Sequence, residues 1–285
     1  MRRGVVLLTD EPWPETAPRW RAVEELGFDH AWTYDHLVWG GLPDSPWFSA
    51  VPTLAAAADV TERIRLGTFV SSPNTQHPYG FLRDLLTLDD LTGGRLLCGL
   101  GTGGDLDSRL TGADLTLRQR VDRFHEFVPL LDRLLREDHV DHDGDWYSLR
   151  DARTLPGPAR DRIPLLVAAN GPRGVRLAAG TGDGWVTYGG KGDTLDAWFA
   201  HVESLVHRFE DALAEAGRGR VDRYLSLDSS PHFSLGSAGL YAEMCGRAAA
   251  LGFTDVVSHW PRAAGPYAGD PAVLEEVAGS PVPEV

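Results

Sequence analysis

The chain has 285 residues, with 27 Lys+Arg against 41 Asp+Glu, a formal charge of −14 at pH 7 and 42% hydrophobic residues. Scattered cations on an acidic chain provide no basic face for nucleic-acid phosphates, and no run approaches the ~18 apolar residues of a membrane span. The length suits one large α/β domain or two small ones. The apolar run at residues 5–8 is shorter than the roughly 7 to 15 residues of a signal h-region. Cys98 and Cys245 form neither a disulfide framework nor a zinc-site spacing. The expectation is a cytoplasmic protein with reduced thiols and no nucleic-acid or membrane partner.

In chain order, short β-branched or leucine-rich runs read as strands at residues 4–8, 31–34, 64–70, 95–100, 163–168, 184–188, 224–228 and 255–258. Between them, patterns of helical period cover residues 16–26, 48–60, 79–91, 117–136, 173–180, 194–215, 237–251 and 271–277. Eight strand–helix pairs within ~250 residues match a (β/α)8 TIM barrel, whereas a doubly wound sheet usually has five or six strands. Two helix ends support the count. Leu26-Gly27 and Leu251-Gly252 each put a glycine just after the last apolar helical residue, where a left-handed cap needs no Cβ. The irregular stretch at residues 138–162 holds Asp143-Gly144 between two short extended runs. It reads as a hairpin inserted before the fifth strand, so the barrel is expected to span residues 1–285 as one domain.

Barrel enzymes carry their chemistry in the loops after the strands. Here those loops hold Asp35-His36 after the second strand, Ser71-Ser72-Pro73-Asn74 after the third, Gly101-Thr102-Gly103-Gly104 after the fourth and Ala169-Asn170-Gly171-Pro172 after the fifth. The fourth loop spells GxGxxG from Gly99 to Gly104. A dinucleotide fingerprint needs a helix to start there, and the polar residues 105–112 lack an apolar stripe, so no helix is expected. The fifth loop is better suited to phosphate. Pro172 favours the first helical position, so backbone N–H groups would face an anion, with Arg173 and Arg176 adding charge; the same residues also read as an ordinary strand-to-helix turn. His36 suits proton exchange near neutral pH. His77, His232 and His259 also follow strands, but the first strand ends Leu8-Thr9-Asp10 with no His-x-His pair, and His139 and His142 read as part of a solvated turn. No metal site is assigned.

Several ordered segments together resemble the bacterial luciferase-like family, and within it the branch using the 5-deazaflavin coenzyme F420. They include Glu24-Glu25-Leu26-Gly27-Phe28-Asp29, Asp35-His36, Thr61-Glu62-Arg63-Ile64-Arg65-Leu66-Gly67-Thr68, His77-Pro78, Gly93-Gly94-Arg95, Gly99-Leu100-Gly101-Thr102-Gly103, Gln119-Arg120-Val121-Asp122-Arg123, Ala168-Ala169-Asn170-Gly171-Pro172 and Gly182-Asp183-Gly184-Trp185. The resemblance weakens beyond Tyr188. It implies a barrel with an insertion, usually as a homodimer, that binds F420 or, alternatively, FMN.

By the same resemblance, Asp35 and His36 meet the polar part of the ring and His36 exchanges a proton. A non-prolyl cis bond falls near Phe69-Val70, forming with Ser71 a bulge behind the ring. Thr102 and Gly103 approach the pyrimidine edge, and Ala169, Asn170, Gly171, Pro172, Arg173 and Tyr188 complete the cofactor site. Trp39, Asp105, His259 and Trp260 are assigned to a small-molecule substrate. Trp39, Trp47, Trp185 and Trp260 are candidates for an apolar wall, or equally for packing between helices and loops. The polyanionic coenzyme calls for a local positive rim from Arg173, Arg176 and Lys191.

The implied chemistry is two-electron transfer with the reduced deazaflavin as hydride donor. Sugar-phosphate dehydrogenases of this branch carry Glu directly after Gly-Thr-Gly, where this chain has Gly104. The expected activity is therefore an F420H2-dependent reductase acting on an activated C=C or C=N bond of a small molecule or natural-product intermediate. An FMN-dependent monooxygenase and a non-catalytic flavin-binding barrel are the alternatives.

Overall fold

The computed structural model describes residues 1–158 and 160–281. Eight parallel strands close into a barrel: β1 (Arg2–Val6), β2 (His30–Thr33), β3 (Arg65–Ser71), β4 (Leu96–Leu100), β7 (Leu165–Ala168), β8 (Gly184–Thr187), β9 (Asp222–Ser226) and β10 (Asp255–His259). Pairing of β1 with both β2 and β10 completes the ring, so the barrel sheet has no open edge. All eight expected barrel strands are present, within a residue or two of the expected bounds.

Around the barrel stand α1 (Trp13–Glu25), α2 (Ala50–Asp59), α3 (Pro78–Leu91), α5 (Leu117–Leu134), α6 (Pro172–Thr181), α7 (Leu195–Glu215), α8 (Ala238–Ala250) and α9 (Pro271–Ala278). The strand period of two sorts the core into two compartments. Val6, Trp32, Leu97, Leu166, Val186, Tyr224 and Val257 fill the barrel interior, while Val5, Ala31, Leu66, Val167 and Val256 point outward under the helices. Trp185 belongs to the outer compartment, stacked on Phe209 at 4.4 Å between ring centroids and on Phe253 at 6.0 Å. Trp260 also packs against that outer cluster. These two tryptophans are helix–barrel packing, and Trp260 is not part of a substrate wall.

The expected insertion is an antiparallel hairpin, β5 (Val140–Asp143) with β6 (Ser148–Ala152). Glu126 of α5 holds it, its carboxylate accepting Trp146 N–H at 3.0 Å, Tyr147 N–H at 2.9 Å and a bond to His142 Nε2 at 3.0 Å. His142 is thereby occupied as a structural partner.

One expectation fails. A short helix, α4 (Asp105–Leu110), begins directly after the GxGxxG loop, with Gly104 extended at its N-cap. It forms without an apolar stripe because Asp105 and Asp107 in its first turn favour the positive end of the helix dipole. No side-chain cap bond closes that end, and Asp107 turns its carboxylate away from it, to His36 and the Leu37 N–H.

At the N-terminal end of the strands, the barrel floor is a closed polar network. His30 Nδ1 accepts Trp32 Nε1–H at 2.7 Å and His30 Nε2 meets Asp255 Oδ1 at 3.0 Å, all three side chains buried. Arg2 Nη2 closes on Asp255 Oδ2 at 2.7 Å. Burial pushes the Asp255 carboxyl up, but hydrogen bonds from His30, Arg2 and Thr254 outweigh it and hold the group below the ordinary carboxylate range.

Candidate active site at the barrel mouth

Two adjoining cavities at the C-terminal ends of the strands carry the polar loops. The first, about 400 Å³, lies over the barrel axis and is walled by Tyr34, His36, Trp39, Phe69, Val70 and Gly103, among others. The second, about 490 Å³, lies against the N-terminal ends of α5 and α6, where Arg118, His125, Ala169, Gly171 and Arg173 line it. Thr102, Ala168 and Tyr188 belong to both walls, so a ligand with a flat head and an extended tail has adjoining room. A larger open groove, about 690 Å³, lies at the opposite end of the barrel between α7 and α8. Its buried Arg223 is already paired with Glu210 at 3.0 Å, and its Arg218 with the carbonyls of Ala179 and Gly182.

The floor of the axial cavity is the end of β3. The Phe69–Val70 peptide is cis, and the β3–β4 register shifts between Thr68 and Ser71. Phe69 and Val70 therefore line the cavity, as does Ser72. Ser71 is fully buried and is not a wall residue. Against this floor lies the glycine loop. A Cβ on Gly101 would come within 2.6 Å of Val70 Cγ2, and one on Gly103, where φ is +74°, within 2.4 Å of Asn74 Nδ2. Glycine is required because backbone, not side chain, forms that surface. Asn74 Nδ2 also donates to Gly104 O at 2.6 Å, tying the β3 and β4 loops together.

His36 lines the cavity, and its Nδ1 is 2.6 Å from Asp107 Oδ2; Asp107 Oδ1 accepts Leu37 N–H at 2.9 Å. Burial pushes the Asp107 carboxyl up, yet the His36 hydrogen bond and charge and the backbone N–H groups of Leu37 and Val38 bring it below the usual range. An ionised carboxylate accepts only, so Nδ1 carries a proton and Nε2 is the nitrogen left for a ligand. Asp35, by contrast, is buried behind the wall, accepting Gln76 Nε2–H at 3.0 Å. It positions the loop and does not line the cavity.

At the second cavity, Gly171 is an N-cap without a side-chain cap bond, and α6 opens with Pro172, leaving early backbone N–H groups unsatisfied. His125 Nε2 is buried without a hydrogen-bond partner. Burial lowers the His125 pKa first, and nearby Arg173 and Arg176 lower it further. An orphaned ring nitrogen, an open helix N-terminus and Arg118 form a donor set suited to an anion. Two expectations change here. The Asn170 side chain is spent on the protein, accepting Thr187 Oγ1–H at 2.8 Å and donating to Gly189 O. The positive rim consists of Arg118 and Arg173 on the wall, Arg173 being paired with Asp122 at 2.6 Å, with Arg176 nearby; Lys191 is not a wall residue.

Of the residues assigned to substrate, Trp39 lines the axial cavity. Asp105 is exposed on α4 and pairs with Arg109 at 3.5 Å. His259 is buried behind Tyr34. Tyr34, Asp107 and His125 were not singled out from sequence. Tyr34 was nevertheless legible, because it continues the inward parity of Trp32. Asp107 was hidden by the missing apolar stripe of α4. Among the described residues, no group of three or more His, Cys, Asp or Glu is placed to hold a metal ion, and no helix is long and apolar enough to cross a membrane.

A closed parallel barrel with loop-borne polar groups around an axial cavity at the strand C-termini defines a TIM-barrel protein with its site at the mouth. More particularly, the family model described as luciferase-like monooxygenase matches residues 1–262, and the chain belongs to that family. It is 33% identical over 239 residues to an F420-dependent glucose-6-phosphate dehydrogenase of Intrasporangium calvum, covering 78% of this chain and 68% of that protein. A second such dehydrogenase, from Microbacterium testaceum, is 31% identical over 73% of this chain and 62% of its own length. The chain thus spans about two thirds of these relatives. Among solved structures, the coenzyme F420-dependent tetrahydromethanopterin reductase of Methanopyrus kandleri superposes with a TM-score of 0.80 at 18% identity, covering 98% of this chain and 97% of that one. At that identity the likeness concerns the fold.

Proposed function

We propose that this protein is a coenzyme F420-dependent oxidoreductase, working as an F420H2-dependent reductase on an activated C=C or C=N bond of a small molecule or natural-product intermediate. The observation that carries the reading is the adjoining pair of cavities, one floored by the cis Phe69–Val70 bulge and the glycine loop, the other ending on an anion-ready helix N-terminus. A flat tricycle with a phosphate-bearing tail fits that pairing, and the relatives named for F420 point to the same cofactor.

In this reading Phe69 and Val70 back the ring, and Thr102 and Gly103 meet its polar edge. The N–H groups that open α6, with Arg118, Arg173 and the orphaned His125 Nε2, hold the phosphate. The bound cofactor supplies two electrons as hydride. His36, oriented by Asp107, presents Nε2 to the cavity as a proton-exchanging group. Gly104 leaves open space where a side chain would reach from the loop, since a Cβ there would meet nothing within 4 Å, which fits a substrate other than a sugar phosphate. Trp39 supplies an apolar wall. The proposal includes a homodimer, which sedimentation velocity checks.

Separate fluorescence titrations with F420 and FMN test the cofactor. Tight FMN binding with none for F420 would overturn the assignment. Turnover is then followed at the deazaflavin absorbance with 2-cyclohexen-1-one as the C=C probe and glucose 6-phosphate as the sugar-phosphate probe. Oxidation of glucose 6-phosphate without reduction of the enone would overturn the reductase reading.

A further inference from the structure

Beside His36, a second proton-carrying chain ends in the axial cavity, and none of its members has a role in the reading above. Tyr34, just past β2, lines the cavity. Its Oη is 2.6 Å from His259 Nε2. His259 Nδ1 is 2.8 Å from Asp228 Oδ2, which also accepts His259 N–H at 2.6 Å, while Asp228 Oδ1 accepts Ser234 N–H at 2.7 Å. His259 and Asp228 are buried, with 1% and 0% side-chain exposure, so solvent does not compete for either bond. Tyr267 stacks on the His259 ring at 3.7 Å between centroids and 11° between planes, and its hydroxyl lies 3.3 Å from Tyr34 Oη. Trp39 stacks in turn on Tyr267. The imidazole is fixed in plane and in direction.

From this geometry we infer that Asp228, His259 and Tyr34 form a proton relay whose catalytic end is the Tyr34 hydroxyl, with His259 and Asp228 as positioning residues. The substrate-side step rests on the oxidoreductase reading; the hydrogen-bond assignment does not. The Asp228 carboxylate accepts twice on Oδ2, so the proton of neutral His259 sits on Nδ1 and Nε2 accepts from Tyr34. Burial, then the neighbouring Tyr267 hydroxyl, raises the Tyr34 pKa well above the ordinary phenol value. Tyr34 therefore keeps its proton at neutral pH and passes protons without storing charge.

During reduction the imidazolium form of His259 is the source. Bound F420H2 would supply the hydride to carbon, and Tyr34 would give its Oη proton to the heteroatom or carbanion end of the double bond. The Tyr34 oxygen takes the Nε2 proton of His259, leaving neutral imidazole hydrogen-bonded to Asp228. One O–H and one N–H bond break, one new O–H bond forms on Tyr34 and one bond to hydrogen forms on the product. With the oxidised deazaflavin as the hydride acceptor, oxidation of an alcohol or amine would run the same proton transfers backward.

The test combines 15N NMR of histidine-labelled cofactor-free protein with kinetics. At a fixed pH where His259 is neutral, the relay requires a protonated Nδ1 and a hydrogen-bonded Nε2 whose resonance moves in Tyr34→Phe. Asp228→Asn should shift the proton toward Nε2. A proton on Nε2 in the native protein, or an Nε2 resonance unmoved by Tyr34→Phe, overturns the relay. With F420H2 and 2-cyclohexen-1-one, Tyr34→Phe should lower kcat by about 10²-fold or more, with KM and F420 affinity within about threefold. A kcat within threefold of native also overturns it. Failure of the native protein to bind F420 would sink the cofactor reading, while the NMR result decides the hydrogen-bond chain separately.

Discussion

At the floor of the barrel, His30 gives one nitrogen to Asp255 and the other to Trp32, and both partners are sealed from solvent. At the mouth, His36 and His259 each give one nitrogen to a carboxylate, but the remaining nitrogen leads to a cavity, directly for His36 and through Tyr34 for His259. The residue types are the same at both ends. What differs is whether the last hydrogen-bonding valence is spent inside the protein. A fully satisfied buried network holds β1, β2 and β10 in register, whereas one with an unspent valence beside a cavity is available for chemistry.

The largest expected effect is at the floor. Asp255→Ala leaves the buried His30 without its carboxylate, while Arg2 keeps only Asp222, and should destabilise the fold by about 3–5 kcal/mol, the usual cost of breaking a buried pair, measured by urea unfolding. A loss below about 1 kcal/mol would mean the floor network is not what separates the two ends. The matching change at the mouth should do the reverse. His36→Ala is expected to slow turnover by about 10²-fold, with a smaller loss of urea midpoint than Asp255→Ala, because Asp107 keeps the backbone N–H groups of Leu37 and Val38. A variant that unfolds in place of slowing would erase the distinction.

Acid sharpens the same comparison. The folded pKa of Asp255 lies below its unfolded value, so its contribution to stability is complete above the unfolded carboxylate value of about 3.9 and is lost as pH falls through the folded value. Asp255→Asn should flatten the fall in urea midpoint below about pH 4. Asp107 is depressed in the same direction, so Asp107→Asn gives the mouth's share. A floor variant that leaves the acid limb unchanged would assign that limb elsewhere. The smallest effect is expected at the rim. Arg176 is exposed, and Arg176→Ala should weaken F420 binding by no more than about fivefold, vanishing at high salt, as read by fluorescence titration.

Much of the frame was legible in the chain because it depends on local period. Strand runs such as residues 95–100 and 184–188 carry enough apolar side chains to be buried on both faces, and Leu26-Gly27 ends a helix wherever it is placed. The Asp143-Gly144 turn likewise announced its hairpin. The site was less legible, since it depends on which loops meet. Ser71 and Ser72 are equally polar and both buried, yet past the register shift in β3 only Ser72 lines the cavity. Asn170 sits in the loop expected to bind phosphate, but Gly189, 19 residues on, takes its amide.

Sequence alone determined that the chain closes as eight βα units with polar loops gathered at one end, because side-chain alternation and helix caps act over a few residues. Tertiary structure decided which of those polar groups are spent and which are free. His30, His36, His142 and His259 each bond a carboxylate that lies between 16 and 225 residues away in the chain. Barrel closure chooses those partners, and with them whether a histidine braces the fold or faces a ligand.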